Sequence, residues 1–120
     1  MPDLPIIDSQ AIENLRALTP DDNDEFLREI AGIFLEDTPQ RLAELDDSLA
    51  AGDAPKFTRA AHSIKGSSSN LGAAALRAAA EKLEHHSHRA GLVDVLPLMN
   101  DVKTEFARAK VELDRLLPPR

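Results

Sequence analysis

The sequence predicts an all-α protein, an antiparallel up-down-up-down four-helix bundle with a short extra helix at its N-terminus. Three observations carry that expectation. Apolar residues recur every three or four positions almost throughout the 120 residues, the period of a helix with one buried face. No segment alternates apolar and polar residues as a half-buried strand does. The links between the periodic segments are short and contain glycine, at Ala51-Gly52-Asp53, Gly72 and Gly91, which suits consecutive antiparallel neighbours.

The first helix is expected over about 9–18, where Ile12 and Leu15 share a face and Leu18 extends it. Thr19 precedes Pro20 and marks its end, because the residue before a proline is pushed out of the helical region. Asp21 and Asp22 are N-cap candidates for the second helix. Its stripe of Phe26, Ile30, Ile33 and Phe34 continues in phase through Thr38, Leu42, Leu45 and Leu49. Pro39 lacks an amide hydrogen and should kink or break a helix. The unbroken phase favours one long kinked element, whereas Thr38 as N-cap with Pro39 at N1 would give two helices. A third helix is expected over about 54–71, with Gly72 as its C′ residue. A fourth, rich in alanine, runs from 73 to about 89 with Leu76, Ala80 and Leu83 along one side. The last is expected over 92–117, on a stripe of Leu92, Leu96, Met99, Val102, Phe106, Leu113 and Leu117 that ends at Pro118 and Pro119. The expected organisation is one domain over 1–120, with the bundle at about 22–117.

Composition narrows the function. Lys plus Arg total 14 against 21 Asp plus Glu, a net charge of −7, and aromatics are 3% with no Trp or Tyr. An acidic chain poor in stacking side chains is a poor fit to nucleic acid. With no Cys, disulfide and thiolate chemistry are excluded. No apolar run approaches membrane-spanning length, and the first ten residues lack the basic start and apolar core of a secretion signal. A cytoplasmic monomer with no nucleic-acid or membrane partner is expected.

The informative stretch lies in the third helix, Ala60-Ala61-His62-Ser63-Ile64-Lys65-Gly66-Ser67-Ser68-Ser69-Asn70-Leu71-Gly72. On a helical wheel Ala60, Ile64, Ser67 and Leu71 fall together opposite His62, with Phe57 at their edge, and form the expected core face. Pro55, Thr58, Arg59, Lys65, Gly66 and Ser69 fall within about 60° of His62. His62 therefore points to solvent among polar or small neighbours. A solvent-facing neutral imidazole offers a lone pair, so it suits a nucleophile. Lys65, one turn on, can offer positive charge to a phosphoryl group. Gly66, at i+4, costs about 1 kcal/mol of helix stability relative to Ala, and room for a docking partner is a reason for it. Ser69 is small and can donate a hydrogen bond. Taken singly, a surface His, a helical Gly and an exposed Lys are ordinary features.

Together these residues resemble the motif of histidine phosphotransfer (HPt) domains: Ala61-His62, a polar residue, an aliphatic residue, then Lys65-Gly66. The downstream Ser69-Asn70-Leu71-Gly72, the upstream Phe34-Leu35-Glu36-Asp37-Thr38-Pro39, the Ala50–Asp53 link and Leu83-Glu84 fit the same family. The resemblance covers roughly residues 22–117. It implies that His62 accepts a phosphoryl group on Nε2 from an aspartate of a receiver domain and passes it to another. One such receiver would belong to a sensor or hybrid histidine kinase and the other to a response regulator. It further implies that Lys65, with Ser69, stabilises the phosphoryl group, and that Gly66, Arg59 and Thr58 give partner access and docking. The chain would need no cofactor, the Mg2+ ion belonging to the partner receiver. It would be a carrier without autonomous kinase activity.

Other motifs are weaker. His85 and His88, with His86 beside them, sit at metal-binding spacing, but a solvated helix end is the simpler account and no metal site is expected. Lys65-Gly66-Ser67 has the wrong order for a phosphate-binding loop and follows no strand. Two rival functions remain: a module that binds receivers without phosphoryl transfer, and a structural bundle whose apolar stripe continues into a dimer.

Overall fold

The structure, a computed structural model, describes residues 4–119. Five helices are present: α1 (Ser9–Leu18), α2 (Glu25–Ala51), α3 (Ala54–Leu71), α4 (Ala74–Ala90) and α5 (Leu96–Leu116). Each of α2 to α5 packs on its neighbour in sequence, and α5 returns to α2, closing the expected four-helix bundle. The described residues contain no strand.

Local chemistry explains the joints. Asp53 caps α3 by accepting from the Lys56 amide at 3.1 Å, and Gly52 turns the chain with φ +71°. Gly72 ends α3 with φ +76°, and a Cβ there would clash with Ala11 Cβ. That close approach exists because the N-terminal segment crosses the α3–α4 turn. The Asp8 amide donates to Gly72 O at 2.8 Å, and the Ala75 amide to Pro5 O at 3.1 Å. Ile12 of α1 is buried there.

Helix α2 runs unbroken through Pro39. Tertiary packing holds the two halves in line: Phe34, Thr38 and Leu45 are all buried, and Phe34 meets Phe106 of α5 with ring centroids 5.6 Å apart. Pro39 itself is exposed, so its missing amide hydrogen costs no buried hydrogen bond. The start of α2 is later than Asp21 and Asp22 suggest. Asn23 and Asp24 adopt positive φ, and Asp22 Oδ2 accepts from the Phe26 amide at 2.9 Å. The start of α5 also differs from expectation. Residues 91–94 form a turn with Asp94 at φ +56°, so the helix begins at Leu96 rather than Leu92. Leu92 still packs against the core from that turn, which is why the apolar stripe extends beyond the helix.

Candidate functional site

His62 lies at the middle of α3, and its orientation follows from which neighbours are buried. Phe57, Ala60, Ala61, Ile64, Ser68 and Leu71 are the buried residues of the helix. The core face is therefore turned slightly from the expected one: Ser68 is fully buried, with its hydroxyl bonded to Ile64 O at 2.6 Å, while Ser67 lies at the boundary. His62 emerges on the other side with 65% of its side chain exposed.

One residue decides what that imidazole can do. Glu84 of α4 places Oε2 2.7 Å from His62 Nδ1 and Oε1 2.7 Å from Lys65 Nζ. The Oε1 contact is an ion pair without the direction of a hydrogen bond. Burial pushes the Glu84 carboxyl up, but the nearby Lys65 ammonium and the His62 ring outweigh it and hold the group below its ordinary value. Glu84 is thus a carboxylate at neutral pH, and a carboxylate can only accept. In the neutral imidazole Nδ1 must then carry the hydrogen, which leaves the lone pair on Nε2. Nε2 has no hydrogen-bond partner among the described residues, on a side chain that is largely exposed.

Lys65 is not the free lysine that its sequence position suggests. Its side chain is 22% exposed and paired with Glu84. Gly66 is exposed, and a Cβ there would meet nothing within 4 Å; packing therefore does not require glycine at this position. Ser69 and Arg59 are both exposed. Thr58, expected among the access residues, is instead half-buried. Its hydroxyl lies 2.8 Å from Ser87 Oγ, across the α3–α4 joint. The reason is the turn of the core face, which brings this flank of α3 against α4.

Beyond His62 along α3, Ser67 and Asn70 border an open groove with Leu15, Ile30, Ile33, Phe34 and Asp37. Ile33 is 60% exposed there. His85 and His88 lie exposed on α4, and no group of three or more potential metal ligands forms among the described residues. No helix among them is long and apolar enough to cross a membrane.

Sequence reasoning missed the role of Glu84, although a signal was present. It follows core residue Leu83 and lies one turn after Ala80, so it flanks the buried stripe of α4. Counting back from the Gly72 turn and forward into α4 sets it opposite His62.

A helical bundle carrying an exposed histidine, with a carboxylate behind one ring nitrogen, defines a class of protein. The chain belongs to the Hpt domain family, which matches residues 29–116. Its fold closely follows the crystal structure of histidine-containing phosphotransfer protein B (HptB) from Pseudomonas aeruginosa PAO1. The TM-score is 0.83 and the identity 30%, over 94% of this chain and 95% of that one. It is also 30% identical over 84 residues to multistep phosphorelay regulator 1 of Schizosaccharomyces pombe. That match takes in 70% of this chain and 28% of the fission-yeast protein, so the chain spans under a third of that relative's length.

Proposed function

We propose that this chain carries a phosphoryl group in a phosphorelay, accepted on Nε2 of His62 from the aspartyl phosphate of one receiver domain and passed to the aspartate of another. The hydrogen bond from Nδ1 to Glu84 carries the proposal, because it aims an unshared lone pair outward from a fixed ring. The two relatives, a phosphotransfer protein and a phosphorelay regulator, support the same reading.

In the transfer, Nε2 attacks phosphorus, the N–P bond forms and the P–O bond to the receiver's aspartate breaks. The electron pair leaves on that carboxylate, beside the Mg2+ held by the receiver. The ring keeps its Nδ1 hydrogen and gains positive charge as it bonds phosphorus. Glu84 faces that charge at 2.7 Å and stabilises it. Lys65 turns from Glu84 toward the phosphoryl oxygens, where a charge-assisted contact is strong, and Ser69 supplies a further donor. Gly66 leaves room for the receiver's loops, Arg59 contacts the receiver at the edge of the site, and the apolar groove at Ile33 receives an apolar part of it. The reverse sequence delivers the group to the second receiver, one receiver belonging to a sensor or hybrid kinase and the other to a response regulator. On this reading the chain is a phosphoryl carrier that relies on its partners for the phosphoryl group. It works as a cytoplasmic monomer.

Incubation with a panel of phosphorylated receiver domains tests this. Labelling of the chain by at least one receiver, and discharge to a second, is expected. Tight receiver binding without label would make it a sequestering module instead, and a concentration-dependent dimer without receiver binding would make it a structural bundle.

A further inference from the structure

The buried stripe of α4 runs Leu76, Ala80, Leu83 and then Ser87, a hydroxyl where the pattern calls for an apolar side chain. Ser87 is 4% exposed. A buried hydroxyl needs hydrogen-bond partners, and this one has two. It donates to the main-chain oxygen of Glu84 at 3.1 Å, and its oxygen lies 2.8 Å from Thr58 Oγ1 on α3. A serine has one hydroxyl hydrogen, and here it goes to Glu84. The hydrogen between the two helices is therefore that of Thr58, donated to Ser87 Oγ.

The bonds form a chain from Thr58 through Ser87 to the backbone of Glu84, whose carboxylate meets Nδ1 of His62 at 2.7 Å. Thr58 lies one turn before His62 on α3, and Ser87 lies one turn after Glu84 on α4. Since the two helices run antiparallel, Thr58–Ser87 and His62–Glu84 are successive rungs between them. A glutamate side chain has three rotatable torsions, so its carboxylate stays on a ring nitrogen only if its own backbone is held. A hydrogen bond is lost beyond about 3.5 Å, which leaves little room for α4 to slide. Apolar contacts are non-directional and resist a small slide weakly. A buried hydroxyl pair resists it strongly, because a slide leaves both groups without partners.

We infer that Thr58 and Ser87 are positioning residues for phosphoryl transfer: their hydroxyl pair fixes the register of α4 on α3 that sets the Glu84 carboxylate behind Nδ1 of His62. Neither hydroxyl bonds to the imidazole; both act through Glu84. The tautomer of His62 then depends on them as well. With the carboxylate in place, the neutral ring carries its hydrogen on Nδ1 and keeps the lone pair on Nε2. With the carboxylate displaced, the hydrogen is free to move to Nε2, and that form of the ring cannot attack phosphorus.

The positioning role presupposes phosphotransfer at His62, whereas the register does not, and two readouts keep them apart. The 15N shifts of the His62 ring report the tautomer with no receiver present. The second-order rate of phosphorylation is read with a receiver that labels the wild-type chain. Thr58→Val keeps the shape and removes the donor. It should move His62 from the Nδ1–H form toward a mixture with Nε2–H and lower the rate about tenfold, part of what a misplacement of about 1 Å can cost. Ser87→Ala should do the same, and Thr58→Ser, which keeps the donor, should restore both readouts. In a Glu84→Ala background Thr58→Val should have no further effect on the rate, because it acts through Glu84 alone. A merely structural role would lower the unfolding midpoint without moving the ring shifts of the folded protein. Wild-type ring shifts and rate in both Thr58→Val and Ser87→Ala overturn the positioning role and leave phosphotransfer intact, as does an undiminished effect of Thr58→Val in the Glu84→Ala background. A wild-type chain that no receiver labels overturns phosphotransfer, and the ring shifts still decide whether the hydroxyl pair sets the register.

Discussion

Replacing Gly66 with glutamine should make the protein more stable and a worse carrier. The structure sets both directions. Gly66 lies inside α3, exposed, at a helical backbone position, and an added Cβ would meet nothing within 4 Å. No strain or clash opposes the substitution, so the gain is that of helix propensity, up to about 1 kcal/mol. For a chain of this size that raises the unfolding midpoint by roughly 3–5 °C. The same open space is what a receiver needs, because residues 62 and 66 share a face one turn apart. A long side chain there keeps the receiver's aspartate from reaching Nε2 in line, and a displacement of about 1 Å can cost on the order of a hundredfold in rate. Thermal unfolding by circular dichroism, with rapid-quench measurement of transfer from a phosphorylated receiver, reads the two effects separately. Gly66→Ala should gain similar stability and lose less transfer. A glutamine variant labelled at the wild-type rate would refute the access argument, and since packing makes no demand for glycine here, its presence would then have no structural account.

Two further outcomes follow from Glu84. Lys65→Ala strands a buried carboxylate oxygen, so it should cost about 1 kcal/mol of stability in urea unfolding as well as shorten the phosphohistidine lifetime; unchanged lifetime and stability together would contradict the pairing. Glu84→Gln keeps an acceptor for Nδ1 but gives Lys65 no charge, and should slow phosphorylation of His62 in quench assays. Because the folded-state value of Glu84 is depressed, the stability it contributes is fully present above the ordinary glutamate value of 4.5 and is lost as pH falls through the lower folded value. The difference between wild type and Glu84→Gln, at most about 1 kcal/mol, should therefore vanish in acid and not in base; a difference that grows below pH 4.5 would contradict it.

Much of the fold was legible because its signals are local. Periodicity set the helices, Gly52 and Gly72 set two of the turns, and the phase carried across Pro39 pointed to the single α2 that forms. The ends of α2 and α5 were less legible. Asp24 and Asp94 take positive φ in turns that a stripe of apolar residues does not encode. At the site, the exposure of His62 and the openness at Gly66 followed from the wheel alone. The wheel is blind to the neighbouring helix, however. It placed Thr58 beside His62, whereas α4 claims its hydroxyl through Ser87. It left Lys65 free, whereas α4 supplies Glu84. Both departures come from contacts between residues more than eighteen positions apart, which exist only once α3 and α4 have paired.

The central claim is that the phosphoryl group sits on Nε2 of His62, and magnetic resonance of the phosphorylated chain tests it most directly. A 15N-labelled sample is charged by a phosphorylated receiver, and the ring nitrogens of all four histidines are followed by phosphorus–nitrogen coupling. The account predicts one new N–P coupling, at Nε2 of His62, with Nδ1 still bearing its hydrogen toward Glu84, and none in the His62→Gln variant. Coupling at Nδ1 of His62, or at any ring of the His85, His86 and His88 cluster, would contradict it.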